Sequence, residues 1–173
     1  RYCQIFDTSY PFPENGYKGE YISDIAQQLS EAHGNSLVEP TDSHIAVCKH
    51  AAEKWCTDSI QKTMATLNIA HDVYFNEQTL YEDGSIDKTI QDLREKKLVY
   101  EKEGALWIAL SKIQEKLTDR VIVKSTGEPT YRLPDIAYHR NKFERGYDII
   151  VDVFGVDHIA TVPDIIAATK ALG

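Results

Sequence analysis

Thr130-Tyr131-Arg132-Leu133-Pro134-Asp135-Ile136-Ala137-Tyr138, followed by Asp148-Ile149-Ile150-Val151-Asp152-Val153-Phe154-Gly155-Val156-Asp157-His158, is the stretch on which the fold turns. Its first part reads as a loop entering a helix that opens at Pro134, because proline sacrifices no hydrogen bond at a first helical position. Asp135 then falls in the first turn, where the helix dipole favours a carboxylate. Tyr131 lies four residues upstream, just outside the helix. A phenol hydroxyl and a carboxylate at this spacing suit a fork-shaped cation such as guanidinium, which a carboxylate accepts through two parallel bonds. In many helices such an acid only offsets the dipole. The residues alone leave both readings standing.

The second part is apolar from Ile149 to Phe154 except for Asp152. That pattern predicts a strand over 148–154, of the parallel kind that is covered on both faces. Gly146 closes the preceding helix, 134–145, and Pro163 opens a last one, 163–172. In open α/β sheets ligands lie beyond the carboxyl ends of strands. Gly155, Asp157 and His158 fall at such an end. Glycine permits close approach to the backbone, and the acid accepts from ribose hydroxyls; a plain turn with a capping Asp fits the same residues.

Upstream, the helical spacing of Tyr21, Ile22, Ile25, Leu29 and Ala32 predicts a helix over 19–33, with Gly34 at its C-cap. Thr41-Asp42-Ser43 starts a long helix to about residue 67, with Val47, Ala51, Trp55, Ile60, Met64 and Leu67 as its inward face. A short strand follows over 72–75. Asp83-Gly84-Ser85 begins a helix carrying Ile86, Ile90 and Leu93. Residues 97–100 and 105–109 read as a hairpin turning at Glu103-Gly104. Ser111 to Leu117 suits a helical turn, 120–124 a strand, and Ser125-Thr126-Gly127-Glu128-Pro129 a turn. Residues 1–117 thus form a largely helical region with a small hairpin, and 118–173 part of an α/β layer.

The 173 residues are 42% hydrophobic and carry a formal charge of -8. That acidic balance disfavours nonspecific nucleic-acid binding, which needs clustered Lys and Arg. It leaves room for an acidic module that docks a basic peptide or protein. Cys3, Cys48 and Cys56 form no secreted-type framework, and an odd count suits a reducing cytosol. No apolar run reaches spanning length, so no membrane partner is expected. His44, Cys48, His50 and Cys56 fall short of a zinc pattern, because His50 points away from the face shared by His44 and Cys48. Neither a phosphate loop nor G-x-G-x-x-G is present. Tyr138, His139, Arg140, Lys142 and Arg145 give the helix after Asp135 a basic side, suited to phosphate or simply to solvent. The chain begins with Arg1 and ends at Gly173, and it reads as cut from something longer.

Several segments together resemble the catalytic domain of arginyl-tRNA synthetases, which are class I aminoacyl-tRNA synthetases. They are Pro13-Glu14-Asn15-Gly16-Tyr17-Lys18-Gly19-Glu20-Tyr21-Ile22, Gly104-Ala105-Leu106-Trp107, Val123 to Tyr131, Asp135 to His139, Lys142 to Asp148, and Gly155-Val156-Asp157-His158. Residues 35–97 resemble the family only loosely. The resemblance implies a Rossmann-like α/β fold with a largely helical insertion that carries the hairpin. Residues 118–173 would then be the second half of the nucleotide-binding domain. It further implies that Tyr131, Asp135 and His158 hold arginine, and that Gly155, Asp157 and His158 line the ATP site. Mg²⁺ would accompany ATP, and tRNA(Arg) would be the partner of the whole enzyme. The family's His-x-Gly-His and Lys-Met-Ser-Lys-Ser-like motifs do not occur here, and Thr126 stands where many members have Asp. The resemblance therefore implies a segment that does not aminoacylate by itself.

Overall fold

Glu103 and Gly104 both take positive φ, 55° and 74°, and so reverse the chain between β1 (Val99–Lys102) and β2 (Ala105–Ile108). This backbone twist suits a two-residue hairpin, and glycine bears it without strain. The strands pair antiparallel, with Tyr100 opposite Trp107 and their rings stacked. β3 (Arg120–Val123) adds antiparallel to β2, giving the order β1-β2-β3.

The computed structural model describes residues 1–173, which divide into two units, Arg1–Tyr74 and Phe75–Gly173. The sheet belongs to the second unit. Around it lie α4 (Thr79–Glu82), α5 (Ser85–Glu95), α6 (Leu110–Ile113), α7 (Arg132–Glu144) and α8 (Val162–Leu172). Leu106 and Ile108 of β2 and Ile122 of β3 point into the core, as a period of two requires. They meet Leu80, Ile86, Leu93, Leu133, Ile136, Ala137, Ile165 and Ala168. The unit holds its own apolar centre.

The first unit holds α1 (Tyr2–Phe6), α2 (Tyr21–His33) and α3 (Asp42–Thr66). Its core is Tyr2, Ile25, Ala26, Leu29 and Leu37. The Tyr2 hydroxyl donates to Gly34 O at 2.5 Å, tying α1 to the end of α2. Thr41 caps α3 by accepting from His44 N at 3.3 Å. The predicted inward face of α3 is only partly right. Ala51 and Trp55 pack on the core, joined by Cys48 and Ala52, whereas Val47, Ile60 and Leu67 are exposed. With 25 residues against 13, α3 outruns the helix that covers it, so its far half has nothing to bury against.

Two predicted strands do not form. Residues 72–75 are irregular, and so is the whole of 148–155. Ile149, Val151 and Val153 stand 80%, 79% and 94% exposed. A strand needs a neighbour to take its N–H and C=O groups, and no described strand lies beside either segment. The three strands present are antiparallel, so these residues do not themselves build a parallel layer. Helix α7 also starts two residues before the expected Pro134, at Arg132. The proline still falls within the first turn, where its missing N–H leaves no bond unmade.

The entry to α7 is held by Thr130. Its N–H donates to Ile122 O at 2.8 Å and its Oγ1 to Val121 O at 2.8 Å. Between β3 and Thr130 the chain turns at Gly127, whose φ is +86°, and Val123 bridges Pro129. Thr130→Val keeps the shape and removes the side-chain bond. It is expected to destabilise the second unit by about 1 kcal/mol, read as a lower urea midpoint with an unchanged slope.

Candidate functional site

Helix α7 buries Leu133, Pro134, Ile136 and Ala137 against the sheet and its neighbouring helices. That choice of face leaves Asp135 and His139, one turn apart, along another side. There they meet α8 and the irregular segment before it. The result is a cleft of about 700 Å³ lined mainly by Asp135, His139, Phe143, Phe154, Ile165 and Thr169, with Asp152 at its wall.

Asp135 is half-buried. Burial pushes its carboxyl above the ordinary range, and through-space charge from His139, His158, Lys142 and Arg132 only partly offsets this. No hydrogen bond acts on it. Partial desolvation of a carboxylate without a bonded partner disfavours its charged form, and a bound cation would offset that. Asp152 is the opposite case. Burial raises its carboxyl, but a hydrogen bond from Lys142, the Lys142 charge and His139 outweigh burial and hold it low. His139 is fixed at both ends, by Asp135 O at 2.8 Å from Nδ1 and Asp152 at 3.1 Å from Nε2. Of two acids in one cleft, one is satisfied and one is left open.

Tyr131 is the N-cap residue of α7, one turn before Asp135, whose N–H donates to Tyr131 O at 3.2 Å. Tyr131 is 64% exposed and lies outside the cleft lining. The Arg132 guanidinium sits 5.2 Å from the centre of the Tyr131 ring, and Nη1 lies 3.5 Å from the hydroxyl. Gly155 caps a 3-10 turn, Val156–His158, rather than ending a strand. A Cβ on Gly155 would stand 2.5 Å from Asp157 Oδ1, so the Asp157 carboxylate folds back over this glycine. His158 stacks on Phe154 with ring centres 5.8 Å apart, and Phe154 in turn stacks on His139. The three rings form a row from the cleft wall outward. Thus Asp135 and the His158 charge act on one another, while Gly155 and Asp157 lie on the outer turn.

Sequence reasoning named neither Asp152 nor Asp164 as a site residue. Asp164 is 3% exposed and takes Arg132 Nε at 3.1 Å and Arg120 Nε at 3.3 Å on the same oxygen. It ties β3, α7 and α8 at one point. The available signal was an acid in the first turn after Pro163, which is too common to single out. The basic side of α7 is largely engaged rather than solvated. Arg140 pairs with Asp92 at 2.6 Å, Lys142 bonds Asp152, and Arg145 lies over the rings of Phe75 and Tyr138. The Nδ1 of His44 is 2.7 Å from Glu39 O, and Cys48 packs on the first unit's core. No three His, Cys, Asp or Glu side chains are grouped to hold a metal ion. No helix is long and apolar enough to cross a membrane.

The chain belongs to the family described as "tRNA synthetases class I (R), catalytic domain", whose model matches residues 21–172. Within that class its relatives are arginine-specific by name. An arginine–tRNA ligase from Desulfotalea psychrophila is 52% identical over 174 residues, covering all of this chain and 31% of that protein. One from Salinibacter ruber is 47% identical, covering 94% of this chain and 28% of its own. The chain therefore spans about a third of the length of the curated relatives it matches. Among solved structures, a protein from Campylobacter jejuni assigned as an arginyl-tRNA synthetase aligns with TM-score 0.84 at 32% identity. The match covers 98% of this chain and 37% of that one. The arginyl-tRNA synthetase of Plasmodium falciparum shares the fold, with TM-score 0.65 at 15% identity.

The two carboxyls make a direct test. Carboxyl-carbon NMR titration of the chain should place the Asp135 midpoint above the ordinary aspartate range and that of Asp152 below it; the reverse order would refute the geometry. Stability follows with opposite signs. The Asp135 contribution is full below its unfolded value and lost as pH rises through its raised folded value. The Asp152 contribution is full above its unfolded value and lost as pH falls through its lowered one.

Proposed function

We propose that this chain is the part of an arginine–tRNA ligase that grips the side chain of arginine and forms one wall of the ATP site. The observation that carries this reading is the Asp135 carboxylate: half-buried, pushed up by burial, without a hydrogen-bonded partner in the chain, and lining a cleft. A guanidinium supplies what that carboxylate lacks, a charge and two parallel donors. Tyr131 contributes a hydroxyl and a ring face from one turn away. His158, behind Phe154, would meet the polar end of the amino acid.

In the whole enzyme the arginine carboxylate attacks the α-phosphate of ATP, giving arginyl-adenylate and pyrophosphate. A ribose hydroxyl of the terminal adenosine of tRNA(Arg) then takes the arginyl group. Both steps depend on alignment and on charge stabilisation. Gly155 offers the backbone of its turn to the nucleotide, and Asp157 and His158 accept from or donate to the ribose. Mg²⁺ arrives with ATP. The apolar run 149–154 joins a parallel, Rossmann-like sheet whose other strands come from elsewhere in the enzyme, which places Gly155 to His158 at a strand end. This segment alone does not aminoacylate, since it carries no His-x-Gly-His or Lys-Met-Ser-Lys-Ser-like motif.

Discrimination follows from the unpaired acid. An amino acid without a fork would cover Asp135 and leave it unmatched, and such sites reject analogues strongly. In the full-length enzyme, Asp135→Asn should raise the KM for arginine in pyrophosphate exchange by about a hundredfold, as expected for losing a charged bond of about 3 kcal/mol. The KM for ATP should change little. An unchanged arginine requirement would sink the proposal. Wild-type KM for arginine should also climb on acidification, beginning above the ordinary aspartate range, because the proton and the guanidinium compete for one carboxylate. Asp135→Asn should abolish that pH dependence.

A further inference from the structure

Arg132 and Asp135 lie three residues apart on α7, a spacing at which side chains of a helix meet and opposite charges pair. The chain thus carries its own guanidinium within reach of the acid. Yet Arg132 does not bond Asp135. Its Nε is taken by Asp164 at 3.1 Å, its Nη1 approaches the Tyr131 hydroxyl at 3.5 Å, and its Cζ lies over the Tyr131 ring. Only 16% of the Arg132 side chain and 4% of the Asp164 side chain are exposed, so this arrangement is packed rather than a passing surface contact. Arg120, at 3.3 Å from the same Asp164 oxygen, adds a second cation to the acid.

We propose that Asp164 is a positioning residue which sequesters the Arg132 guanidinium, and so keeps the chain from filling its own Asp135 site. Two acids compete for one internal fork. Asp164 wins because it is the more deeply buried of the two and is reached by two arginines, from β3 and from α7. The cost of unpairing a buried carboxylate is high, so Arg132 stays. Asp135 is left facing the cleft, with His139 and Lys142 on its own helix both held by Asp152, and His158 stacked on Phe154. The same arginine lies over the Tyr131 ring. This role rests on the reading of Asp135 as the arginine acceptor, but the sequestration itself does not.

The test uses three variants of the 173-residue chain and of the full-length enzyme. Asp164→Asn releases Arg132. Carboxyl NMR of the chain should then show the Asp135 midpoint falling by about one unit as the freed guanidinium pairs with it. Adding Arg132→Met to Asp164→Asn should return that midpoint to its raised position, which loss of packing alone would not do. In the full-length enzyme, Asp164→Asn should raise the KM for arginine roughly three- to tenfold through self-occupancy, and the double variant should restore it. An Asp135 midpoint that stays put in a folded Asp164→Asn chain overturns the proposal. Should Asp164→Asn not fold, Arg132→Met alone decides: sequestration requires only a small rise in the Asp135 midpoint, and a rise beyond about one unit would mean Arg132 already pairs there. A midpoint that moves as described while arginine KM does not would leave sequestration intact and refute Asp135 as the arginine acceptor.

Discussion

A carboxylate partly withdrawn from water, with no group of the chain bonded to it, is the constraint around which the cleft of the second unit is arranged. Asp135 reaches that state because α7 has no choice of face. Leu133, Ile136 and Ala137 must go to the sheet, and Thr130 fixes the height at which the helix begins. The i, i+4 geometry then delivers Asp135 and His139 to the cleft. What leaves the acid without a bonded cation on its own helix is where the basic side chains of α7 and its C-cap go. Lys142 and His139 go to Asp152, Arg140 to Asp92, Arg132 to Asp164, and Arg145 to aromatic rings. Each of these pairings is ordinary alone. Together they leave a single carboxylate whose charge no bonded group of the chain answers.

This distribution also explains why the two cleft acids differ although they share a cavity. Both suffer desolvation, which raises a carboxyl. At Asp152 a bonded ammonium and an imidazole overcome it; at Asp135 charges act only through space and do not. The difference between a bonded and an unbonded neighbour is enough to reverse the sign of the shift. Environments that drive two like groups apart in this way suit them to different tasks, and Asp152 is the one tied into the scaffold.

Much of this unit was legible from local rules. The hairpin at Glu103-Gly104, the strand at Arg120–Val123, the turn at Gly127 and helices α5, α7 and α8 follow from turn residues and periodicity. So does Asp135 in a first turn. The family was legible because its motif residues stand at fixed spacings, as the match over residues 21–172 bears out. What local rules miss is partnership at a distance. Asp164 and Arg132 are 32 residues apart in sequence, and Asp152 meets Lys142 only once the chain after α7 folds back. Nothing in composition distinguishes these acids from the chain's solvated ones. The inward face of α3 failed for a related reason: periodicity says which side of a helix is apolar, not whether another element is long enough to cover it.

Residues 148–154 carry the same point to its limit. Ile149, Ile150, Val151, Val153 and Phe154 have the composition of a buried strand, and strand propensity is largely a measure of fitting against neighbours. A lone segment gains no ladder bonds, and its alternate side chains at 149, 151 and 153 remain in water. The other face is not idle, because Ile150, Asp152 and Phe154 line the cleft, and Asp152 anchors Lys142 and His139. One parity of the segment is therefore already committed to the site before any partner strand is considered. Pairing through its backbone edges would leave that parity in place, since a strand exchanges hydrogen bonds in the plane of the sheet and side chains perpendicular to it. The cleft and the strand character of this segment are compatible, and the geometry that opens Asp135 does not have to be undone for a sheet to form alongside it.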